Sequence, residues 1–538
     1  MDRRDLLFAT VILAGIAAIG PSLAPHRSRS TDPAPMPPPP DPGFRAAIDR
    51  VDRAIRLRWA EEGILPTPWA PDLAILRRVS LGLTGSIPSL EEIRRFESLP
   101  PDARIGLRVD EILRERRSTD YLAERFARVF VGTEAGPFLV FRRRRFVSWL
   151  SDELIRNRPY DQIARDLIAD RGFWTDHPAT NFVSVTINAD GDKVPNPERL
   201  AARVARAFLG ARIDCAQCHD HPFQPWKRGD FRGIAAFFGQ VQSGPIGIID
   251  RKGEFRVDDR KDGKSTPIEP RVPYLPELDP GSGTRRERLA RWTTDTRNPN
   301  FARVAANRAW ALLFGRPLID PVDDLGAVAE VPEPLKILAD DFAAHGHDLL
   351  RLFRLIASTE AFALDSATAD DTGPTESAEA AWAAFPLTRL RPEQVAGALL
   401  QAASTATIDA ESHILVRLAT FGGVNDFVAR HGDPGEEEFR LEPSSTIPQR
   451  LLMMNGDLVE KKTRDDLANA AARIAVLAPD DNKAIDAAYL ATLTRRPSPE
   501  EAEHFRARLA GTSGAGRKGR MTDLVWALLN ATEFSWCH

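Results

Sequence analysis

Residues 197–223 have the sequence PERLAARVARAFLGARIDCAQCHDHPF. This stretch indicates both the local fold and the candidate chemistry of the chain. Pro197 is typical of a helix start, because proline fits the first helical position. Apolar residues at helical spacing follow, and Gly210 is typical of a helix end. A cysteine motif comes next, in a segment where Pro222 and Pro225 limit any helix. We therefore predict a helix that leads into a loop suited to a ligand site.

Cys215, Cys218 and His219 form a Cys-x-x-Cys-His pattern within this loop. The chain has 538 residues but only three cysteines and ten histidines, so chance rarely produces the pattern here. Two thiols at this spacing can each bond a vinyl group of haem while the next imidazole binds the iron. We predict that the three residues bind a cofactor, and c-type haem is the first candidate.

Two other interpretations of the loop stay open. The first is a structural disulfide between Cys215 and Cys218. The second is a site for zinc or another divalent metal, with ligands from the three residues that follow the cysteines: His219, Asp220 and His221. A closed zinc site usually takes a second close pair of ligands. The remaining cysteine, Cys537, stands beside a histidine at the far end of the sequence.

The composition is that of an ordinary globular protein, with 43% hydrophobic and 28% charged residues. The length predicts two or more domains. The formal net charge is −4, so the chain lacks the basic field that non-specific nucleic-acid binding requires, and we predict no nucleic-acid partner. Three cysteines are too few for a disulfide scaffold, so apolar cores must provide the stability.

The N-terminal segment predicts export. Arg3 and Arg4 precede an apolar run over residues 6–20 and the small-residue sequence Ser22-Leu23-Ala24, which is the layout of a signal peptide. Because proline at position 25 is poor for cleavage, residues 1–24 fit a signal peptide or a membrane anchor formed by residues 6–24. A proline-rich spacer over residues 25–43 favours an extended rod. We predict an extracytoplasmic protein of the periplasm or cell envelope, either secreted or anchored.

Helical periodicity dominates the chain after the spacer. Apolar residues fall on one face between Phe44 and Ile55, and similar stripes recur in both halves. We predict a mainly α fold with two helical multi-layer domains, over residues 44–240 and 285–538. The linker over residues 241–284 is predicted to contain a small β-hairpin, in which residues 246–249 and 255–257 flank Lys252-Gly253.

An internal echo links the two halves. Residues 81–96, LGLTGSIPSLEEIRRF, align with residues 490–505, LATLTRRPSPEEAEHF. Both segments contain a capping box, in which a serine caps a helix start and a glutamate three residues later returns the bond. Shared capping chemistry and a true duplication explain the echo equally well.

Short motifs throughout the chain resemble the secreted cytochrome-like proteins of planctomycetes. The first-half motifs are LRRV at 76–79, LGLTG at 81–85, PSLEE at 88–92, RPYD at 158–161 and FLG at 208–210 before CAQCHDHPF. The second half resembles the domain of unknown function that accompanies this family, through NPNFAR at 298–303, NRAW at 307–310, FGRP at 314–317, DPVDD at 320–324 and NATEF at 530–534. The resemblance implies export and a link to cytochromes, whereas the family's activity is not established.

Two classes of function follow from these observations. The first is a redox protein with two thioether anchors, His219 as proximal ligand and an open sixth position or a sixth ligand from the following set: His221, His345, His347, Met453 and Met454. The second is a cell-envelope binding or scaffold protein whose loop holds a non-haem metal or a disulfide. Other envelope or redox proteins are the predicted partners of either class.

Enzyme chemistry finds little support in the sequence. Asp323 and Asp324, near Arg308 and Arg316 in the chain, have the functional groups for acid–base work. Adjacent carboxylates more often cap a helix or pair with arginines. The sequence contains no nucleophile elbow, phosphate loop or HExxH run, so no reaction is predicted.

Overall fold

The structure is a computed structural model that describes residues 42–133, 141–187, 194–258, 264–368, 373–409, 424, 426–433, 435, 439, 446–464 and 469–538. The predicted signal peptide or anchor over residues 1–24 lies outside these residues, as does the spacer up to residue 41. Within the ranges given, no helix has both the length and the apolar character needed to cross a bilayer. Export and anchoring therefore stay predictions.

The mainly α fold is confirmed. The helices of the first half are α1 (Pro42–Glu62), α2 (Asp72–Thr84), α3 (Leu90–Glu97), α4 (Arg104–Ile112), α5 (Arg116–Val131), α6 (Arg143–Ile155), α7 (Tyr160–Ala169), α8 (Asn181–Ser184), α9 (Pro197–Val204) and α10 (Arg228–Ala236). The apolar stripe that predicted α1 is buried from Phe44 to Ile55. Burial of such a stripe against neighbouring helices provides most of a helix's stability.

The second half continues in the same way. Its helices are α11 (Arg285–Thr293), α12 (Pro299–Phe314), α13 (Glu333–Ala344), α14 (Leu349–Ala357), α15 (Glu360–Ala363), α16 (Glu376–Ala380), α17 (Pro392–Ala402), α18 (Ile447–Asn455), α19 (Asp457–Thr463), α20 (Ala470–Leu477), α21 (Asp481–Leu493), α22 (Pro499–Leu509) and α23 (Gly514–Leu529). The connection between α15 and α16 lies partly outside the described residues.

Short strands occur mainly in the predicted linker. The sheets found in the described part of the chain each have two antiparallel strands: β1 (Val241–Gly244) with β2 (Gly247–Asp250), β3 (Arg256–Asp258) with β4 (Ser265–Pro267), and β5 (Thr388–Arg389) with β6 (Trp536–Cys537). The linker thus contains two hairpins, and the predicted pairing across Lys252-Gly253 is wrong. The strand β2 pairs instead with β1, and Ile248 also exchanges two backbone hydrogen bonds of 2.8 Å with Gly172.

The two halves of the chain pack tightly together. Buried apolar residues from Phe44 to Cys537 form one continuous cluster. Helix α2 lies against α12, where a Cβ atom at Gly82 would come within 3.0 Å of the Leu313 side chain. The division into two domains over residues 44–240 and 285–538 stays a prediction.

The internal echo has a structural counterpart. Helix α2 ends in left-handed Gly85 and α21 ends in left-handed Thr494, with φ of 67° and 60°. Ser89 then caps α3 and Ser498 caps α22, and each belongs to a complete capping box. The two segments therefore share a helix end, a short connection and a capped helix start, as the alignment predicts.

Candidate functional site

The cysteine loop follows a helix that changes its winding just before it ends. Asn196 Oδ1 accepts hydrogen bonds from the backbone N–H groups of Glu198 and Arg199, which fixes the start of α9. Residues Ala205–Leu209 then form a π-helical turn that ends at left-handed Gly210. The sequence predicts this helix and its end but not the π turn. Such turns are rare and occur frequently at functional sites.

The motif begins on a short 3-10 turn, Asp214–Gln217, and continues through Cys218 and His219 just after the turn ends. Ala216 is fully buried and anchors the turn, whereas Cys215 and Cys218 are exposed and their thiols are free. The backbone N–H groups of Cys218 and His219 both donate to the Cys215 carbonyl at 3.4 Å. The turn therefore presents two thiols and one imidazole on an accessible surface, as a loop site requires.

The ring of His219 is held in one tautomer. Its Nδ1 atom lies 2.7 Å from the carbonyl oxygen of Asp220. Because a carbonyl oxygen only accepts hydrogen bonds, Nδ1 carries the proton in the neutral ring and Nε2 keeps a free lone pair. A backbone carbonyl that fixes the ring in this way is the usual outer partner of a metal-binding histidine.

His221 and Asp220 stabilise the loop from within. The N–H groups of Phe223 and Gln224 donate to His221 Nδ1 at 3.2 and 3.0 Å, so the neutral ring carries its proton on Nε2. Asp220 Oδ1 accepts the N–H of Arg228 at 2.9 Å, at the start of α10. A carboxylate at a helix N-terminus is favourable. Roles of these two residues as metal ligands stay predictions.

Side chains from the second half support the loop, and the sequence gives no local signal for this contact. Gln224 Nε2 donates to both carboxylate oxygens of Asp324 at 3.1 and 3.0 Å. Trp226 Nε1 donates to Gln224 Oε1 at 3.1 Å. Leu325 N–H donates to the Gly210 carbonyl at 2.8 Å, and the Arg212 guanidinium pairs with Asp323 at 2.7 Å. The loop is therefore braced against residues about a hundred positions away in the sequence.

The aromatic residues after the loop belong to the core. Phe231, Phe237 and Phe238 are all buried and form part of the continuous apolar cluster. Phe223 behaves differently, because 92% of its surface is exposed at the tip of the loop. It is a large apolar side chain that the loop itself exposes.

The candidate sixth ligands from the second half of the chain differ from one another in burial and in hydrogen-bond partners. His347 is buried with its ring edge-on to Phe301 and Phe342, and its Nδ1 atom lies 3.7 Å from Asp161. His345 Nδ1 lies 2.8 Å from the Asp341 carbonyl. Met453 is buried in α18, whereas Met454 is exposed. Over the described ranges, no group of three or more His, Cys, Asp or Glu side chains is arranged to hold a metal ion.

The acidic pair near the loop has structural partners. Asp323 is paired with Arg212 and Asp324 with Gln224, whereas Arg316 stacks over the Trp382 ring with its guanidinium carbon 4.8 Å from the centroid. Arg308 is buried and donates to the Ala207 carbonyl in the π turn. The sequence-adjacent carboxylates and arginines thus point to separate partners.

Comparisons with protein families agree with the resemblance read from the motifs. Residues 50–243 match the family described as PSCyt2, a protein of unknown function (DUF1549). Residues 285–414 match the family described as PSD1, also a protein of unknown function (DUF1553). Neither the curated proteins nor the solved structures gave a match. The segment that carries the CxxCH loop is therefore similar to the cytochrome-like PSCyt2 family, and much of the second half is similar to PSD1.

Proposed function

We propose that this chain is an exported redox protein that attaches c-type haem at Cys215, Cys218 and His219. The observation that carries the proposal is the joint exposure, within residues 215–219, of two free thiols and an imidazole whose Nε2 lone pair is free. The chemistry that haem supplies when bound is the uptake and release of one electron. Electron transfer and redox sensing both fit that chemistry.

The residues of the cysteine loop suit covalent haem attachment in three respects. Neither thiol is buried or paired, so both are free to form thioethers. The Asp220 carbonyl holds the His219 ring and leaves its Nε2 lone pair free to bind a metal. The brace from Gln224 to Asp324 keeps the loop in place, so that little ordering is required when a group binds.

Location supports the same proposal. The N-terminal Arg pair, the apolar run over residues 6–20 and the proline-rich spacer favour export, and covalent haem attachment takes place outside the cytoplasm. We propose a protein of the periplasm or cell envelope that acts with other redox or envelope proteins, with membrane attachment through residues 6–24 if the segment is retained.

An absorption spectrum of the full chain, exported in a host that matures c-type cytochromes, tests the proposal. We expect a Soret band, a haem-stained band on a denaturing gel and one haem per chain by mass. The Cys215→Ser/Cys218→Ser double variant is expected to lose the covalent haem. Cys537→Ser is the matched control, because that thiol lies outside the loop, and it is expected to keep the haem.

Other outcomes would identify the alternative function. If the protein lacks a Soret band but holds zinc or another divalent metal, which His219→Ala or His221→Ala removes, the loop is a non-haem metal site of a binding or scaffold protein. If it holds neither group and Cys215→Ser lowers only the thermal stability, the loop is a structural disulfide. Either result would overturn the cytochrome proposal.

A further inference from the structure

A cavity of about 560 Å³ lies where the two copies of the internal echo meet. Leu90 and Arg94 of α3, from the first copy, form one wall. Leu490 of α21 and Arg496, from the second copy, form another, and the C-terminal end of α20 closes the third side. The echo thus builds a cavity that is separate from the cysteine loop.

The floor of this cavity is apolar. Leu90, Ile474, Ala487 and Leu490 line it and are largely buried. Leu477 stands at the rim with 71% of its surface exposed. Ligand cavities of a few hundred Å³ are typically lined in this way, with a small number of polar groups that orient the ligand.

The rim carries an excess of positive charge. Among the lining residues, Arg496 is held by Asp486 at 2.7 Å and Glu97 at 2.5 Å, so both carboxylates of the cavity already have a partner. Arg94, Arg473 and Lys483 form no ion pair with any residue that the structure describes, and all three line the cavity. Cations with no carboxylate partner beside an apolar floor favour an anionic ligand.

We propose that this cavity binds a small amphiphilic anion, with an apolar body of drug-like size and one carboxylate or sulfonate group. The apolar body packs on the leucine floor, where its burial drives binding. The anionic group lies at the rim, between the guanidinium of Arg473 and the ammonium of Lys483, where charge-assisted hydrogen bonds orient it. The binding mode requires neither the thiols nor a cofactor.

The test uses the full chain and the probe 8-anilinonaphthalene-1-sulfonate, whose fluorescence rises in an apolar site. We expect saturable binding at one site. Decanoate is expected to displace the probe, whereas decyltrimethylammonium, of equal chain length and opposite charge, is expected to leave it bound. Equal displacement by the two compounds would overturn the proposed charge preference.

Variants locate the site. Arg473→Gln combined with Lys483→Gln is expected to raise the Kd for the probe at least tenfold, and Ala487→Phe is expected to abolish binding by filling the floor. Arg508→Gln, at an exposed arginine of α22 outside the cavity, is the matched control and should leave the Kd unchanged. Thermal melts confirm that each variant is folded. An unchanged Kd in the folded double charge variant would contradict the proposal.

Discussion

At the scale of single residues, Gly210 joins the helix before the cysteine loop to the second half of the chain. Its φ is 57°, and a Cβ atom there would lie 2.6 Å from Leu325 Cγ. Gly63 has a similar φ of 65° with no atom within 4 Å of the same position. A substitution at Gly63 therefore tests backbone strain alone, whereas the same substitution at Gly210 tests strain together with steric overlap.

We expect Gly63→Ala to lower the free energy of unfolding by about 1 kcal/mol, because alanine is strained in the left-handed region. Gly210→Ala is expected to lower it by about 2–4 kcal/mol, because the overlap with Leu325 adds to that strain. Urea denaturation measures both values. Equal losses would mean that the contact between Gly210 and Leu325 adds nothing to stability.

Asp52 makes the free energy of unfolding depend on pH. Burial beneath α15, with a smaller contribution from the Glu360 charge, raises the pKa of Asp52 to about 6, although its Oδ1 atom accepts the Glu360 N–H at 2.9 Å. A folded-state pKa above the unfolded value means that the folded protein binds the proton more tightly. The contribution of Asp52 to the stability of the folded protein is therefore most favourable below about pH 4, and it is lost as the pH rises to about 6.

We therefore expect Asp52→Asn to raise the free energy of unfolding at pH 7.5 by about 1 kcal/mol, since the amide keeps the acceptor oxygen but carries no charge to desolvate. Partial contact with solvent keeps this value below the full pKa effect. At pH 4 the difference from the unmodified protein should be close to zero. Glu61→Gln, at an exposed position of the same helix, is the control and should leave the free energy of unfolding nearly unchanged.

At the scale of elements, the two capped starts of the echo differ in burial. Ser498 Oγ accepts the Glu501 N–H at 3.2 Å near the surface. Ser89 Oγ accepts the Glu92 N–H at 3.0 Å in the interior and also bonds Thr407 Oγ1 at 2.9 Å. Ser498→Ala is expected to lower the free energy of unfolding by about 1 kcal/mol, which is the usual contribution of a helix cap. Ser89→Ala is expected to lower it by about 2 kcal/mol, because a buried N–H loses its hydrogen-bond partner. Chemical denaturation of both variants measures the difference, and equal losses would contradict this ranking.

The elements also show which parts of the fold are readable from sequence. Caps, prolines and apolar stripes act within a few residues, so α1, α3 and α9 are predictable. The predicted linker pairing is wrong because β2 pairs with β1 and also bonds Gly172, which lies 76 positions upstream of Ile248. Residues of the loop are identifiable from their spacing, whereas its brace by Asp324 depends on tertiary packing that no local pattern encodes.

At the scale of the whole molecule, hydrogen bonds from α2 hold the second half in place. Arg78 is buried and its guanidinium donates to the carbonyl oxygens of Phe362, Leu364 and His538 at 2.9, 2.6 and 2.8 Å. The guanidinium also stacks over the Phe385 ring, 3.8 Å from its centroid. Arg125 pairs with Glu393 at 2.6 Å across the same contact. These bonds and the shared apolar cluster predict that the halves stay associated when the linker is cut.

Limited proteolysis tests this prediction together with the proposed domain division. We expect the first cuts within residues 241–284 or 364–380, and the resulting fragments should co-elute in size exclusion and separate only in urea. Arg78→Leu should lower the urea concentration at which the cut fragments separate, because two buried carbonyls and one partly buried carbonyl lose a charged donor. Each buried loss costs about 1–3 kcal/mol. Arg53→Leu, at an exposed arginine of α1, should leave that concentration unchanged. Fragments that separate without denaturant would show that the contact between the halves is weak. Early cuts within residues 197–238 would show instead that the segment around the cysteine loop is not a packed part of the fold.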